Sequence, residues 1–324
     1  MHSVNQYQEF VSNYLQSQLE IKEPKNLYEP IHYILVLGGK RIRPVLTLMS
    51  AEVFDVSYEK ALPAALAVEV FHNFSLVHDD IMDDAPLRRG NVTVHEKWNI
   101  NTGILSGDAM LILAYQYFEK YEPVIFRDLA KLFSKTALEV CEGQQWDVDF
   151  ESRNDVTVPE YLKMIEYKTA VLVAAAMKMG AIIAETSTEN ANLIYDFGLN
   201  LGIAFQLQDD YLDAFGDPET FGKQVGGDII ENKKTYLYLK GMEFANGVDK
   251  QELADLFSVQ MEENEAKIAQ VKEIFLNSGA AKATQKAIEA YTFKAFETLE
   301  KMDINSEKKN ILRVFGEGLM GRKV

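Results

Sequence analysis

Apolar residues recur at helical spacing along nearly the whole chain, which constrains its architecture more than any other feature. From Leu62 the positions Leu62, Leu66, Val70, Phe74, Val77 and Ile81 follow one another at intervals of four or three, the repeat of one helix face. Ala61, Ala64, Ala67, Val68 and Phe71 fill other faces, so this helix is expected to be buried on most sides. Thr157-Val158-Pro159-Glu160 combines a capping box with an early proline and opens a helix through Met177. Further helices are expected at about 5–20, 43–54, 106–121, 124–148, 189–213, 232–246, 250–277, 279–301 and 305–316. No stretch alternates in the manner of a strand between turn signals. Breaks fall at Gly38-Gly39, Asp84–Asn101, Glu185–Glu189 and Gly216–Lys234, without a Ser/Pro linker or a shift in composition. The expectation is an all-α protein with residues 1–324 in a single domain.

Charge and cysteine usage narrow the function. Lys and Arg number 33 against 49 Asp and Glu, a net charge of −16, which disfavours nucleic acid and anionic membrane faces as partners. An anionic small molecule could bind only where local cations overturn that field. The single cysteine, Cys141, cannot form an internal disulfide, and no Cys/His set has zinc spacing. The polar N-terminus lacks the apolar run of a signal peptide, and the most apolar stretch, Ala170–Ala184, is interrupted by Lys178 and too short to span a bilayer. A cytoplasmic location without a transmembrane segment is expected.

Two short clusters carry the chemistry. Asp79-Asp80-Ile81-Met82-Asp83 and Asp209-Asp210-Tyr211-Leu212-Asp213 share the pattern D-D-x-x-D, each at the end of an apolar helix. Asp79 and Asp83 share a helix face, and like charges there repel. The negative end of the helix dipole worsens the repulsion, for a cost on the order of 1–2 kcal/mol per cluster unless a cation compensates. A solvated acidic helix end explains one such cluster more readily than two. Oxygen-only sets of this kind suit Mg²⁺, which takes one or two carboxylates together with waters and phosphate oxygens. Basic residues stand nearby in sequence: Arg88-Arg89 follow the first cluster, and Lys40, Arg41 and Arg43 lie on Gly38-Gly39-Lys40-Arg41-Ile42-Arg43-Pro44, where a helix start supplies an anion site. Lys168, Lys223, Lys233 and Lys234 are more scattered, and Gly222–Gly227 has no Walker pattern. The combination suggests a metal-bridged diphosphate site. Glu69-x-x-His72 and Glu29-x-x-His32 have di-iron spacing, but the partner glutamates are not evident and Pro30 interrupts the second pair. His78 abuts the first cluster and is expected to orient it. His32 and His95 read equally well as structural histidines.

These motifs, in this order from Gly38 to about Thr235, resemble those of the trans-isoprenyl diphosphate synthases, the polyprenyl synthetase family that includes farnesyl and geranylgeranyl diphosphate synthases. The resemblance implies a helical bundle around a central cavity, and a homodimer. It assigns Lys40, Arg43, His72 and Arg89 to isopentenyl diphosphate, and Arg88, Lys168, Lys223 and Lys233 to the allylic diphosphate. Asp79, Asp80, Asp83, Asp209, Asp210 and Asp213 would bind Mg²⁺, three ions when diphosphate is bound. Gly143-Gln144-Gln145-Trp146-Asp147 matches the family's G-Q-x-x-D and places Gln144 and Asp147 near the metals, with Asp228 in a later G-x-D. Leu172 departs from members with tyrosine after the Lys168-Thr169 pair, and the first 25 residues match weakly.

The implied reaction is head-to-tail prenyl transfer. Arg88, Lys168, Lys223 and the metal ions would neutralise the departing diphosphate, and Thr169, Gln206 and nearby carbonyls would supply dipoles to the allylic carbocation. The product chain would grow from Asp79 past Ser75 and Phe74 toward Phe71. A single aromatic five residues before Asp79 favours C20 over C15, with Tyr115 or Tyr117 as a deeper stop. A terpene cyclase would carry a different second metal motif, and a non-catalytic subunit need not keep these sets. The C-terminal Arg322-Lys323-Val324 is expected either to fold over the isopentenyl diphosphate or to fray.

Overall fold

The structure, a computed structural model, describes residues 1–18, 20–217, 225–258 and 264–321. Its helices are α1 (Val4–Gln18), α2 (Lys25–Val36), α3 (Ile42–Val53), α4 (Tyr58–Met82), α5 (Val94–Lys97), α6 (Ile100–Phe118), α7 (Pro123–Ser152), α8 (Val158–Ile165), α9 (Val171–Ile183), α10 (Thr188–Phe215), α11 (Gly227–Ile230), α12 (Tyr236–Phe244), α13 (Gly247–Leu256), α14 (Asn264–Asn277), α15 (Ala280–Lys301) and α16 (Ser306–Met320). The all-α expectation holds, apart from a two-stranded hairpin of β1 (Leu87–Arg88) and β2 (Asn91–Val92). Among the described residues, no helix is long and apolar enough to cross a membrane.

The chain divides into two compact units, Met1–Ser134 with Ala175–Asn192, and Lys135–Ala174 with Leu193–Val324. The first centres on α4, which is buried on most sides: Ala61, Ala64, Leu66, Ala67, Val70 and Phe71 are all at most 1% exposed. Ser57 caps its start by accepting from the Glu59 N–H. Pro63 lies within the second turn and removes one backbone donor. Tyr121 bridges the next rung, its hydroxyl donating to the Lys60 carbonyl at 2.8 Å and accepting from the Ala64 N–H at 3.1 Å.

In the second unit the Thr157–Glu160 capping box forms as expected. The helix it opens is not uniform: between α8 and α9 the residues Glu166–Ala170 form a π-helical turn. Aromatic and aliphatic side chains of α8, α10, α12, α13 and α14, including Tyr161, Leu207, Leu237, Leu253 and Phe275, make its core. The helix expected over 250–277 is two helices, α13 winding down at Phe257 and Ser258 before α14 begins at Asn264.

Candidate active site

In the first unit, chain geometry separates two adjacent arginines. Arg89 and Gly90 both have positive φ, 53° and 74°, at the centre of the hairpin turn, the condition for a type I′ connection. Arg88, on β1, directs its guanidinium onto the end of α4. Its Nε lies 2.7 and 2.8 Å from the two oxygens of Asp80, and its Nη2 lies 2.6 Å from Oδ1. Asp80 is buried beneath it, while Asp79 is half-buried and Asp83 is exposed at the helix end. Arg89, at the turn, instead donates to the Gly38 carbonyl. A Cβ on Gly39 would fall 2.8 Å from the Arg89 Cζ, so the missing side chain is what lets the guanidinium lie on this loop.

Arg43, in the first turn of α3, donates from Nη1 to His72 Nε2 at 3.2 Å. That bond makes Nε2 the acceptor, so the neutral imidazole carries its proton on Nδ1 and can donate from there. Removal from water, and then the charges of Arg43, Arg89, Arg88 and Arg41, hold His72 well below the usual histidine range. The unfolded chain, with His72 near 6.5, therefore takes up its proton first as the pH falls. The contribution of neutral His72 to stability is full above about pH 6.5 and declines below it. A denaturation midpoint measured from neutral to mildly acidic pH is expected to fall more steeply for the wild type than for His72→Gln; equal slopes would refute this.

Lys40 and Arg41 occupy different environments. The Lys40 side chain is exposed, and its carbonyl accepts from Gln8 at 2.6 Å. Arg41 is buried, bonded to Glu69 and, at 2.5 Å, to the Leu35 carbonyl. Glu69 is therefore engaged by Arg41 and Asn73, which removes the di-iron reading. His78 does not act on the aspartates as expected: it hydrogen-bonds the Ile104 carbonyl at 3.1 Å and its ring meets Phe74 at 4.8 Å, tying α4 to α6. Ser75 donates to the His72 carbonyl. Phe74 stacks tilted on buried Phe71, which in turn packs on Phe133, with Tyr115 beyond. Tyr117 lies instead under Lys120.

In the second unit a cavity of about 120 Å³ is lined by Asp147, Lys168, Thr169, Gln206, Asp210, Asp228 and Lys233, with Tyr161 at its wall. Lys168, in the π turn, pairs with Asp147 at 2.5 Å. Thr169 donates to Gln206 Oε1 at 3.1 Å, and the Gln206 amide donates to Asp210 at 3.0 Å. Tyr161, which no motif in the sequence marks, donates to the other Asp210 oxygen. Burial and the neighbouring charge of Asp228 push the Asp210 carboxyl well above its usual range, against the Tyr161 and Gln206 hydrogen bonds. Asp213 accepts the Asp228 N–H at 3.0 Å, and Asp209 is half-buried one residue before Asp210. Burial lowers the Lys233 ammonium, but Glu231 at 2.8 Å, with Asp228 and Asp147, more than offsets it and holds the group charged. Lys223 and Arg322-Lys323-Val324 lie outside the described residues.

This pocket fits a hard divalent cation. Its acceptors are all oxygens, Asp147, Asp210 and Asp228 among them, and the crowding that raises Asp210 would be relieved by a cation. Gly143, one residue before Gln144, holds α7 against the π turn: a Cβ there would sit 2.2 Å from the Lys168 nitrogen. The motif's glycine is thus a packing requirement that no charge pattern reveals.

The polyprenyl synthetase model matches residues 24–275. A crystal structure of a geranylgeranyl pyrophosphate synthase is 57% identical, covers 100% of both chains and superimposes with a TM-score of 0.96. A geranylgeranyl diphosphate synthase of Methanosarcina mazei is 41% identical over 79% of this chain and 78% of its own length. A geranylfarnesyl diphosphate synthase of Natronomonas pharaonis is 39% identical over 76% of this chain and 77% of its own. Motif order, helical fold and likeness over most of the chain agree: it belongs to the polyprenyl synthetase family and is a prenyltransferase.

Proposed function

We propose that the chain joins isopentenyl diphosphate head to tail to a dimethylallyl, geranyl or farnesyl diphosphate, giving a short-chain all-trans product, with C20 favoured over C15. The observation that carries this reading is the gathering of Arg43 of α3 and neutral His72 of α4 with Arg88 and Arg89 of the hairpin, beside the Gly38-Gly39 loop, in a chain of net charge −16. Such a group answers a diphosphate.

In this reaction the allylic C–O bond breaks and its electron pair leaves with the diphosphate. The isopentenyl double bond supplies the electrons of the new C–C bond, and the resulting cation loses a proton to the released diphosphate. Lys40, Arg43, His72 and Arg89 hold the isopentenyl diphosphate. Arg88, Lys168, Lys223 and Lys233 hold the allylic one. Thr169 and Gln206 present oxygen dipoles to the allylic cation, and no side-chain nucleophile is needed. Asp79, Asp80, Asp83, Asp209, Asp210 and Asp213 would hold Mg²⁺, three ions with diphosphate bound, which would supply Lewis-acid stabilisation of the leaving group. Gln144, Asp147 and Asp228 support those ligands. We place the protein in the cytoplasm, with residues 1–324 acting as one catalytic domain. It acts as a homodimer, a reading supported by the exposed apolar row Ile100, Ile104, Leu105 and Ile112 along α6.

Incubation with isopentenyl diphosphate, Mg²⁺ and each allylic primer, with products sized by mass spectrometry, tests the reading. EDTA-sensitive C20 product is expected, and no condensation with any primer would overturn it. For chain length, the Phe74–Phe71–Phe133 cluster supports Phe74 as the floor, with Ser75 leaving room above it and Tyr115 a deeper stop. Phe74→Ala is expected to shift product mass to C25 or longer; an unchanged distribution would refute the floor.

A further inference from the structure

Below the hairpin lies a group of side chains that the prenyl-transfer reading does not use. Asp84 ends the α4 segment with a positive φ of 49°, and His95 and Glu96 stand on α5. One ligand atom from each, two carboxylate oxygens and an imidazole nitrogen, lies within 4.8 Å of the others. Asp84 and Glu96 are exposed, and alone they would be an ordinary acidic surface. His95 changes the argument. It is 6% exposed, yet neither ring nitrogen has a hydrogen-bond partner, a costly state for a buried polar group. Its Nε2 is aimed into the group, 3.8 Å from Glu96 Oε1.

We infer that Asp84, His95 and Glu96 form a binding site for a divalent transition-metal ion of the Zn²⁺ class, separate from the oxygen-only aspartate sets. Zinc bonds of about 2.0–2.2 Å at tetrahedral angles put ligand atoms roughly 3.4 Å apart. The His95–Glu96 separation is already near that value, and the two exposed carboxylates can rotate to close the rest. The nitrogen donor selects Zn²⁺ over Mg²⁺, which prefers all-oxygen octahedra. Water would complete the coordination.

The position gives the ion a role. Residues 84 and 95 are the two ends of the segment that carries Arg88 and Arg89. Thr93 already draws those ends together, its hydroxyl bonding the Ala85 carbonyl at 2.8 Å and its N–H the Pro86 carbonyl at 3.1 Å. A bound ion would clamp the same stem covalently in all but name, and so restrict the hairpin that presents both arginines.

The test needs no substrate, so its outcome is independent of the prenyl-transfer reading. The full-length protein, stripped with a chelator, is equilibrated by dialysis against micromolar Zn²⁺ in a large excess of Mg²⁺, which occupies the oxygen-only sites, and retained zinc is measured by elemental analysis. One equivalent is expected in the wild type, with affinity reduced by about 10–100-fold or more in Asp84→Asn and in Glu96→Gln. Both substitutions are at exposed positions, so folding is preserved and can be checked by circular dichroism. His95→Gln is expected to abolish retention. No zinc held against Mg²⁺, or the same zinc held by wild type, Asp84→Asn and Glu96→Gln, would overturn the site.

Discussion

Arg41→Leu is expected to destabilise the protein by about 3–5 kcal/mol, because it strands a buried carboxylate. Arg41 and Glu69 are at most 4% exposed at their side chains, and Arg41 also satisfies the Leu35 carbonyl. Without the guanidinium, Glu69 keeps only the Asn73 amide at 2.9 Å. It must then take up a proton, admit water or move, and each choice disrupts the closely packed α4. A double replacement, Arg41→Leu with Glu69→Leu, is expected to recover much of the loss, since the pair's own attraction is largely offset by the desolvation of both charges. Urea unfolding of the two single variants and the double variant completes the cycle. A cost below about 1 kcal/mol for Arg41→Leu would mean that Glu69 reaches water.

Gly143→Ala is expected to slow turnover by about 100-fold and also to lower stability by about 1–3 kcal/mol. The added methyl would lie 2.2 Å from the Lys168 nitrogen and 2.8 Å from its Cα. Those are backbone atoms, so relief requires the π turn and α7 to part by on the order of 1 Å, a movement well beyond the tolerance of a close-packed interior. Lys168 and Thr169 ride on one element and Asp147 on the other, so the parting stretches the Lys168–Asp147 pair and misaligns the hydroxyl. The loss should fall mainly on kcat. Gly318→Ala, where no atom lies within 4 Å of the new methyl, serves as the control and is expected to leave turnover unchanged. Turnover of Gly143→Ala within twofold of wild type would show that this contact can yield.

Much of this was legible before any coordinates. The long apolar repeats located α4, α7, α10 and α15 because burial imposes its period on sequence. The capping box at Thr157 was legible because it is made of adjacent residues. α2 escaped because Pro30 lies within it, yet burial of Ile31, Ile34 and Leu35 outweighs the lost backbone bond. The hairpin escaped because two residues per strand leave no alternation to read. In the glycine-rich motif the sequence lists three cations but cannot rank them. Exposed Lys40, half-buried Arg43 and buried Arg41 differ only in what other helices place beside them. Tyr161 reaches Asp210 from another helix 49 residues away in sequence, and spacing alone does not find such a partner.

The π turn at Glu166–Ala170 has a consequence for how this stretch can vary. One residue more than an α-helical turn rotates everything after it by about 100° relative to what precedes it. Deleting a single residue there would restore a regular helix, and in doing so would turn Val171–Ile183 so that its buried row no longer met its neighbours. Lengthening by one would do the same in the opposite sense. The segment should accept changes of side chain far more readily than changes of length, and a register fixed this way acts as a ruler: it counts residues between the capped start at Thr157 and the apolar helix that follows.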